Sequence, residues 1–438
     1  MTLVLLAMTS MFASVDPVVG LPDGSIFPGD GFVAKGSQGV HDPTVVDFGG
    51  RWFCFHTNGN GFATLRVSDD LKAWKTLGPV MPEAPDWLKT RMPHRSIWAP
   101  DVIKIGNGLR MYYSASERFG GNGSVIGFAD CANFDPKNPQ VGWVDRGLVI
   151  ESVQDKDVFN AIDPEVEVDA SGRHWLFFGS YFAGIHLIEL NPETGKVKDP
   201  TLTGLFCVAR NTDERGNPLE APAVCYRDGF YYLFVSYGLA AQGIRSTYRI
   251  MVGRSKEITG PYLDRAGRSM VDGGHTDVLK GSPPMFAPGH SDILKAPDGR
   301  WLMPYHFYDG REFWHRDTWG LPTLQIREIY WSKDGWPLPG MPTHLAKRGP
   351  NRSPVGQWIH QADFGRPSKL TLRKDGSFTD GEAAGRWILH GDTLSLKWPK
   401  KESADEVWLD EVEVHGDTYV GRNQAGLVIR GARVPGGK

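Results

Sequence analysis

Three carboxylates occupy matching places in this chain. Asp42 precedes Pro43 in HDPTVVDFGGRWFCFHT, Asp163 precedes Pro164 in IDPEVEVDASGRHWLFFGS, and Glu220 stands two residues before Pro222 in EAPAVCYRDGFYYLFVSYG. Two further segments of the same form, WAPDVIKIGNGLRMYYSAS and GHSDILKAPDGRWLMPYHFY, put Trp98 and His290 at the corresponding places. A single acid before proline is a common turn initiator. Three at matched positions call for another reason. Like charges drawn together raise one another's pKa, at about 1.4 kcal/mol per unit, and groups so perturbed are often functional. Paired carboxylates suit glycoside hydrolysis, where a protonated acid serves the leaving oxygen and an ionised base activates water. A third carboxylate beside the acid holds it protonated near neutral pH and orients it. Metal chelation is the competing use. Hard-cation sites, however, draw several oxygens from one loop, and no D-x-D-x-D run occurs.

Such distant residues meet only if the fold brings them together. Each of the five segments reads as a short alternating strand, a glycine-bearing turn and an aromatic-rich strand. Proline is expected to hold the residue before it extended. Aligned on Pro43, Pro100, Pro164, Pro222 and His290, the copies are offset by 57, 64, 58 and 68 residues. A repeat of this length leaves room for four strands per unit, and five units arranged radially form an all-β, five-bladed propeller. Its innermost strands all start at one end of a central channel, which would place the three acids, Trp98 and His290 around one mouth. The propeller is expected over residues 16–345. AKRGPNRSP (346–354) reads as a linker, and residues 355–438 as a small antiparallel barrel or sandwich with an accessory role.

The 438 residues are 40% apolar and 23% charged, an ordinary globular balance, and 53 Gly with 31 Pro suit a turn-rich β protein. A formal net charge of −3 provides no basic field for nucleic acid or an anionic membrane, so neither is an expected partner. Cys54, Cys131, Cys207 and Cys225 have no C-x-x-C spacing and read as buried free thiols rather than a zinc site. The apolar run TLVLLAMTSMFA (2–13) has the length of a signal-peptide core without a basic flank. Residues 1–15 are expected to be a leader remnant and the protein secreted or periplasmic.

In the order VHDPTVVDFGGRWF, SIWAPDV, YYSASERFGGNGSVIGFA, NAIDPEV, EAPAVCYRDGFYYLFVS, STYRIMVGRSKEITGPY, APGHSDIL and GLPTLQIREIYW, the chain resembles glycoside hydrolase family 43 over roughly residues 35–345. The SERFGGNGSVIGFA and STYRIMVGRS stretches are similar to its arabinan endo-1,5-α-L-arabinosidase branch, some of whose members carry a small β-domain like residues 355–438. The resemblance implies an inverting enzyme cutting internal bonds of linear arabinan. In it, Asp42 is the general base, Glu220 the general acid, and Asp163 the residue that raises the acid's pKa. It further implies that His290 lies near a channel cation, usually calcium, held through water. Trp98 and Phe119 match aromatics beside the sugars, with Asn160 and Ser180 as polar partners for hydroxyls. A monomer is expected. The loop SYGLAAQGIRSTY lacks the cysteine pair of many relatives, which puts substrate length preference in doubt. Two alternatives stay open: an exo-acting arabinanase, arabinofuranosidase or xylosidase of the same family, and a non-catalytic sugar-binding propeller.

Overall fold

The computed structural model describes residues 33–434 except 58–62, 93–95, 316–317, 345–352, 382 and 401–402. The apolar run 2–13 and most of the polar segment 346–354 therefore lie outside the described residues. The first four-stranded meander comprises β1 (His41–Phe48), β2 (Arg51–Thr57), β3 (Thr64–Ser68) and β4 (Lys75–Pro79). A short helix, α1 (Asp86–Arg91), leads to β5 (Trp98–Ile105), β6 (Gly108–Ser116), β7 (Ser124–Cys131) and β8 (Val144–Ser152). The third blade is β9 (Glu165–Val168), β10 (His174–Phe178), β11 (Ile185–Leu190) and β12 (Phe206–Ala209). The fourth is β13 (Leu219–Arg227), β14 (Phe230–Tyr237), β15 (Arg249–Ser255) and β16 (Thr276–Leu279). The fifth contains β17 (Met285–Gly289), β18 (Leu294–Lys295), β19 (Trp301–His315), β20 (Thr318–Trp331) and β21 (Pro337–Pro342), with both β17 and β18 pairing with β19. Strand β1 packs on β5, β5 on β9 and β9 on β13. The fifth blade packs on the fourth and returns to β1, which closes the ring.

Strand periodicity explains why these blades read as apolar on both faces. In β6 every residue is buried. Met111 and Tyr113 join Phe53, Phe55 and Leu65 of the first blade, while Tyr112 between them joins Leu176 and Phe178 of the third. Phe177 then turns the other way, to Leu233 and Val235 of the fourth. Alternation by two thus assigns successive side chains to successive blade interfaces. Each fully buried large apolar side chain contributes about 1.5–3 kcal/mol. Cys54, Cys131 and Cys225 are buried free thiols as expected, whereas Cys207 is half-buried.

The starts of the innermost strands differ from expectation. Proline does not hold the preceding residue extended here. Asp42, Ala99, Asp163 and Ala221, each directly before proline, have φ of 49°, 40°, 56° and 54°, and His290 has 48°. Left-handed backbone at non-glycine residues costs of order 1–3 kcal/mol and persists only where the surroundings enforce it. Here the preceding blade enforces it. Ala99 N–H donates to Thr57 Oγ1 at 2.7 Å, Asp163 N–H to Ser114 Oγ at 2.9 Å, His290 N–H to Ser236 Oγ at 2.8 Å and Asp42 N–H to His306 Nδ1 at 3.2 Å. In blades one, three and five the left-handed residue bears the candidate functional side chain. In two and four it is alanine, and the residue before it, Trp98 or Glu220, bears it.

The C-terminal region is a barrel rather than a sandwich. It comprises β22 (Gly356–Ala362), β23 (Ser368–Leu372), β24 (Ser377–Thr379), β25 (Ala384–His390), β26 (Thr393–Lys400), β27 (Ser403–His415), β28 (Thr418–Asn423) and β29 (Val428–Arg433), closed by pairing of β22 with β29. Trp358, Leu370, Phe378, Leu396 and Val412 fill it. Phe364, Val420 and Val428 extend the propeller core that holds Tyr305 and Met303. Lys280 pairs with Asp363 at 3.3 Å across the same junction.

Candidate active site

Asp42 sits at the head of β1 among three imidazoles. His41 Nδ1 is 2.8 Å and His290 Nδ1 3.1 Å from its Oδ1, with His306 Nδ1 at 3.7 Å. Burial pushes its carboxyl up, but His41 and His290 outweigh that and hold it well below the usual carboxylate range. Burial opposes the charged form of His290, yet Asp42 lifts it to about 9. His306 is different. Burial pulls its pKa well down, and the neutral ring accepts the Asp42 N–H while stacking on His41 at 3.9 Å between ring centres. Tyr308 closes the group, its hydroxyl 2.7 Å from His41 Nε2 and accepting the Ala241 N–H at 2.7 Å.

Glu220 behaves in the opposite way. Burial raises its pKa, the Asp163 carboxylate raises it further, and the result is about 8 even though Ser180 Oγ donates to Glu220 Oε2 at 2.5 Å. Asp163 is itself lifted to about 6, by burial first, with His290 opposing and Asp42 adding. Its Oδ2 accepts the Ala221 N–H at 3.2 Å, which ties it to the residue beside Glu220. At neutral pH one carboxyl of the mouth is thus ionised and another is protonated. That is the division of labour acid–base hydrolysis needs.

The candidate substrate residues separate. Trp98, first residue of β5, is half-buried. Phe119, in the loop between β6 and β7, is 83% exposed. Asn160 is buried, with an Oδ1 that has no partner among the described residues. Ser180 is buried, and its hydroxyl is committed to Glu220. His41, His306 and Tyr308 escaped the sequence reading. His41 adjoins the proline motif, but the other two lie on the aromatic strand of the fifth repeat, where they look like core.

A second set of acids lies two residues beyond the left-handed positions of three blades. Asp101 Oδ2 accepts the Val166 N–H at 2.9 Å, Glu165 Oε1 the Val224 N–H at 2.8 Å and Asp292 Oδ2 the Val45 N–H at 2.7 Å, each bond joining one blade to the next. Burial raises all three, Asp101 to about 8 and Asp292 to about 6, and the Asp292 charge adds to Asp101. Asp101 and Glu165 directly follow the proline of their repeats, whereas Asp292 stands two residues after His290 and comes into line with them only through the backbone. This oxygen-rich lining fits a hard cation reached through water. The nitrogen-rich set of His41, Asp42 and His306 fits one less well.

The family model described as glycosyl hydrolases family 43 matches residues 36–337. An extracellular endo-α-(1→5)-L-arabinanase of Bacillus subtilis (strain 168) is 36% identical over 325 residues, which cover 73% of this chain and 94% of the relative. An extracellular exo-α-(1→5)-L-arabinofuranosidase of Cellvibrio japonicus (strain Ueda107) is 34% identical over 306 residues, 68% of this chain and 85% of its own. The crystal structure of an endo-1,5-α-L-arabinanase from Thermotoga petrophila RKU-1 superposes with a TM-score of 0.73 at 23% identity. It covers 92% of this chain and 100% of that one, so the likeness of fold extends through the barrel. With five matching blades and a relative above one-third identity across the propeller, the chain belongs to glycosyl hydrolase family 43.

Proposed function

We propose that this protein is a secreted, inverting hydrolase of internal α-1,5-L-arabinofuranosidic bonds in linear arabinan. The observation that carries the reading is the pair of carboxyls at one mouth with opposite tendencies, Asp42 held ionised by imidazoles and Glu220 held protonated by burial and Asp163. Asp42 takes the proton of a water molecule as that water attacks the anomeric carbon. Glu220 gives its proton to the departing glycosidic oxygen. Asp163 sustains the Glu220 proton, and Ser180 fixes its carboxyl. Single displacement inverts configuration and requires the base and acid to stand roughly 6.5–9.5 Å apart. Flat apolar faces at Trp98 and Phe119 suit the C–H surfaces of furanose rings, and Asn160 Oδ1 suits a sugar hydroxyl. A small cation, calcium by resemblance, would be held by oxygens of Asp101, Glu165 and Asp292, with His290 contributing through water. When bound, it would supply positive charge to the group of acids.

The exo-acting reading is favoured by two observations: the 34% identical relative described as an exo-arabinofuranosidase, and the crystal structure of an exo-1,5-α-L-arabinanase from a bovine ruminal metagenomic library, 36% identical over 71% of this chain with a TM-score of 0.64. Chromatography of early products from debranched arabinan separates the two. Mixed oligomers support internal cleavage, and one small sugar overturns it. Absence of any new reducing ends overturns hydrolysis altogether. Proton NMR of the first anomer released tests inversion.

A further inference from the structure

The barrel is seated on the fifth blade through a surface with buried positive charge. Arg327 of β20 is fully buried, donating from Nε to Tyr305 Oη at 2.6 Å, from Nη1 to the Gly340 carbonyl at 2.6 Å and from Nη2 to Gln325 Oε1 at 2.9 Å. Arg430, from β29 of the barrel, is 2% exposed, and burial first and the neighbouring Arg327 charge second press its pKa well down. Its Nε donates to Gln361 Oε1 at 2.6 Å, and its guanidinium carbon lies 4.7 Å from the centre of the Phe364 ring. Both terminal nitrogens, Nη1 and Nη2, are enclosed and meet no acceptor among the described residues. Gln361 donates in turn to Ser282 Oγ of the propeller at 2.9 Å and to the Gly365 carbonyl at 2.7 Å. Arg430 is thereby fixed at the junction rather than free to swing into solvent.

A buried guanidinium without a counter-charge is costly. Water satisfies its N–H groups but leaves the charge uncompensated. Nη1 and Nη2 carry four N–H bonds, have almost no accessible surface and meet no acceptor among the described residues. A phosphate or carboxylate would bring further oxygens, each needing a donor of its own. The donors beside the guanidinium are already engaged: both Gln361 amide N–H groups with Ser282 and Gly365, and Arg327 with Tyr305, Gly340 and Gln325, while Phe364 is apolar. A monatomic anion makes no such demand.

We propose that the junction between the barrel and the fifth blade binds one halide ion, chloride in a natural medium, on Nη1 and Nη2 of Arg430, and that this ion strengthens docking of the barrel on the propeller. The site is separate from the channel mouth and takes no part in the hydrolytic steps. The full chain, exchanged into sodium gluconate, is titrated with sodium bromide at fixed ionic strength while Tm is followed. The wild type gives a saturable rise of about 2–4 °C, and Arg430→Gln gives none. Crystals grown without halide and soaked in bromide give an anomalous peak within hydrogen-bond reach of the Arg430 Nη atoms. A flat wild-type titration, or a rise preserved in Arg430→Gln, overturns the proposal. So does water alone at the guanidinium with no anomalous signal. Should Arg430→Gln fail to fold, the anomalous map of the wild type decides.

Discussion

Asp163 at the channel mouth and Asp410 inside the barrel are both lifted to about 6, and burial is the leading cause for each. Their surroundings part company after that. Asp163 stands among Asp42, Glu220 and His290, contributed by three other blades. Asp410 Oδ2 accepts the Trp398 Nε1–H at 2.7 Å and lies 3.8 Å from His360 Nε2, while burial takes His360 down to about 4. The Asp410 side chain is 3% exposed, whereas that of Asp42 at the mouth keeps 12%. Burial alone perturbs a carboxyl in either place. Of the two places, the mouth couples a raised acid to a depressed one and leaves an approach from solvent. A lone shifted pKa is therefore poor evidence of a site, and an opposed pair is much better evidence.

The comparison breaks most visibly if the mouth acids are dispensable. Glu220→Ala and Asp42→Ala are each expected to lower kcat on arabinan by about 10²–10⁴-fold, with an unchanged circular dichroism spectrum, while Asp410→Asn leaves kcat at the wild-type value. Near-full activity in either alanine variant removes the catalytic reading. Asp163→Asn probes the coupling. Glu220 works protonated, so activity falls as pH rises through its pKa of about 8, and the Asp163 charge is the second cause of that elevation. Removing the charge should move the alkaline limb of the kcat profile about one unit lower. An alkaline limb that stays in place limits Asp163 to the backbone bond with Ala221.

Much of this arrangement was legible in the chain because it repeats. Pro43, Pro100, Pro164 and Pro222 marked the inner strands, and counting back from them found Asp42, Trp98, Asp163 and Glu220. The backbone at those points was misread. Proline preference for an extended neighbour is a local tendency, and the N–H groups of Asp163, Ala99 and Asp42, donating to Ser114, Thr57 and His306 on the preceding blades, override it. Those partners sit on aromatic strands where nothing local distinguishes a blade-joining serine from any other. His306 and Tyr308 were hidden for the same reason. They differ from core aromatics such as Tyr305 only by the face they occupy. In the barrel, strand alternation predicted sheet but did not choose between barrel and sandwich, because closure depends on pairing of β22 with β29, far apart in sequence.

A smaller effect separates the two regions by stability rather than rate. Asp410 has a folded pKa above its unfolded value, so its contribution is fully present below about pH 4 and lost as pH rises through about 6. Asp410→Asn keeps an acceptor for Trp398 and removes the ionisation. It should raise stability at pH 7 relative to pH 4, compared with the wild type, by up to about 3 kcal/mol. Urea unfolding at the two pH values measures this. Equal pH dependence in the two proteins places the burden of Asp410 ionisation elsewhere.

The least effect is expected where the mouth meets solvent. Phe119 is 83% exposed on the loop between β6 and β7, so it adds little to folding, and Phe119→Ala should change stability by no more than about 0.5 kcal/mol. By resemblance the ring lies beside the sugars, where substrate would cover it during turnover. Stacking on a sugar ring is worth about 1 kcal/mol, which corresponds to roughly a fivefold rise in KM for arabinan with kcat preserved. Because Glu220 and Asp42 act on the bond itself, their variants should show the reverse split, with kcat lost and KM little changed. Steady-state kinetics on one polymer preparation tests both at once. A Phe119→Ala enzyme with wild-type KM overturns the expected contact of Phe119 with the sugar.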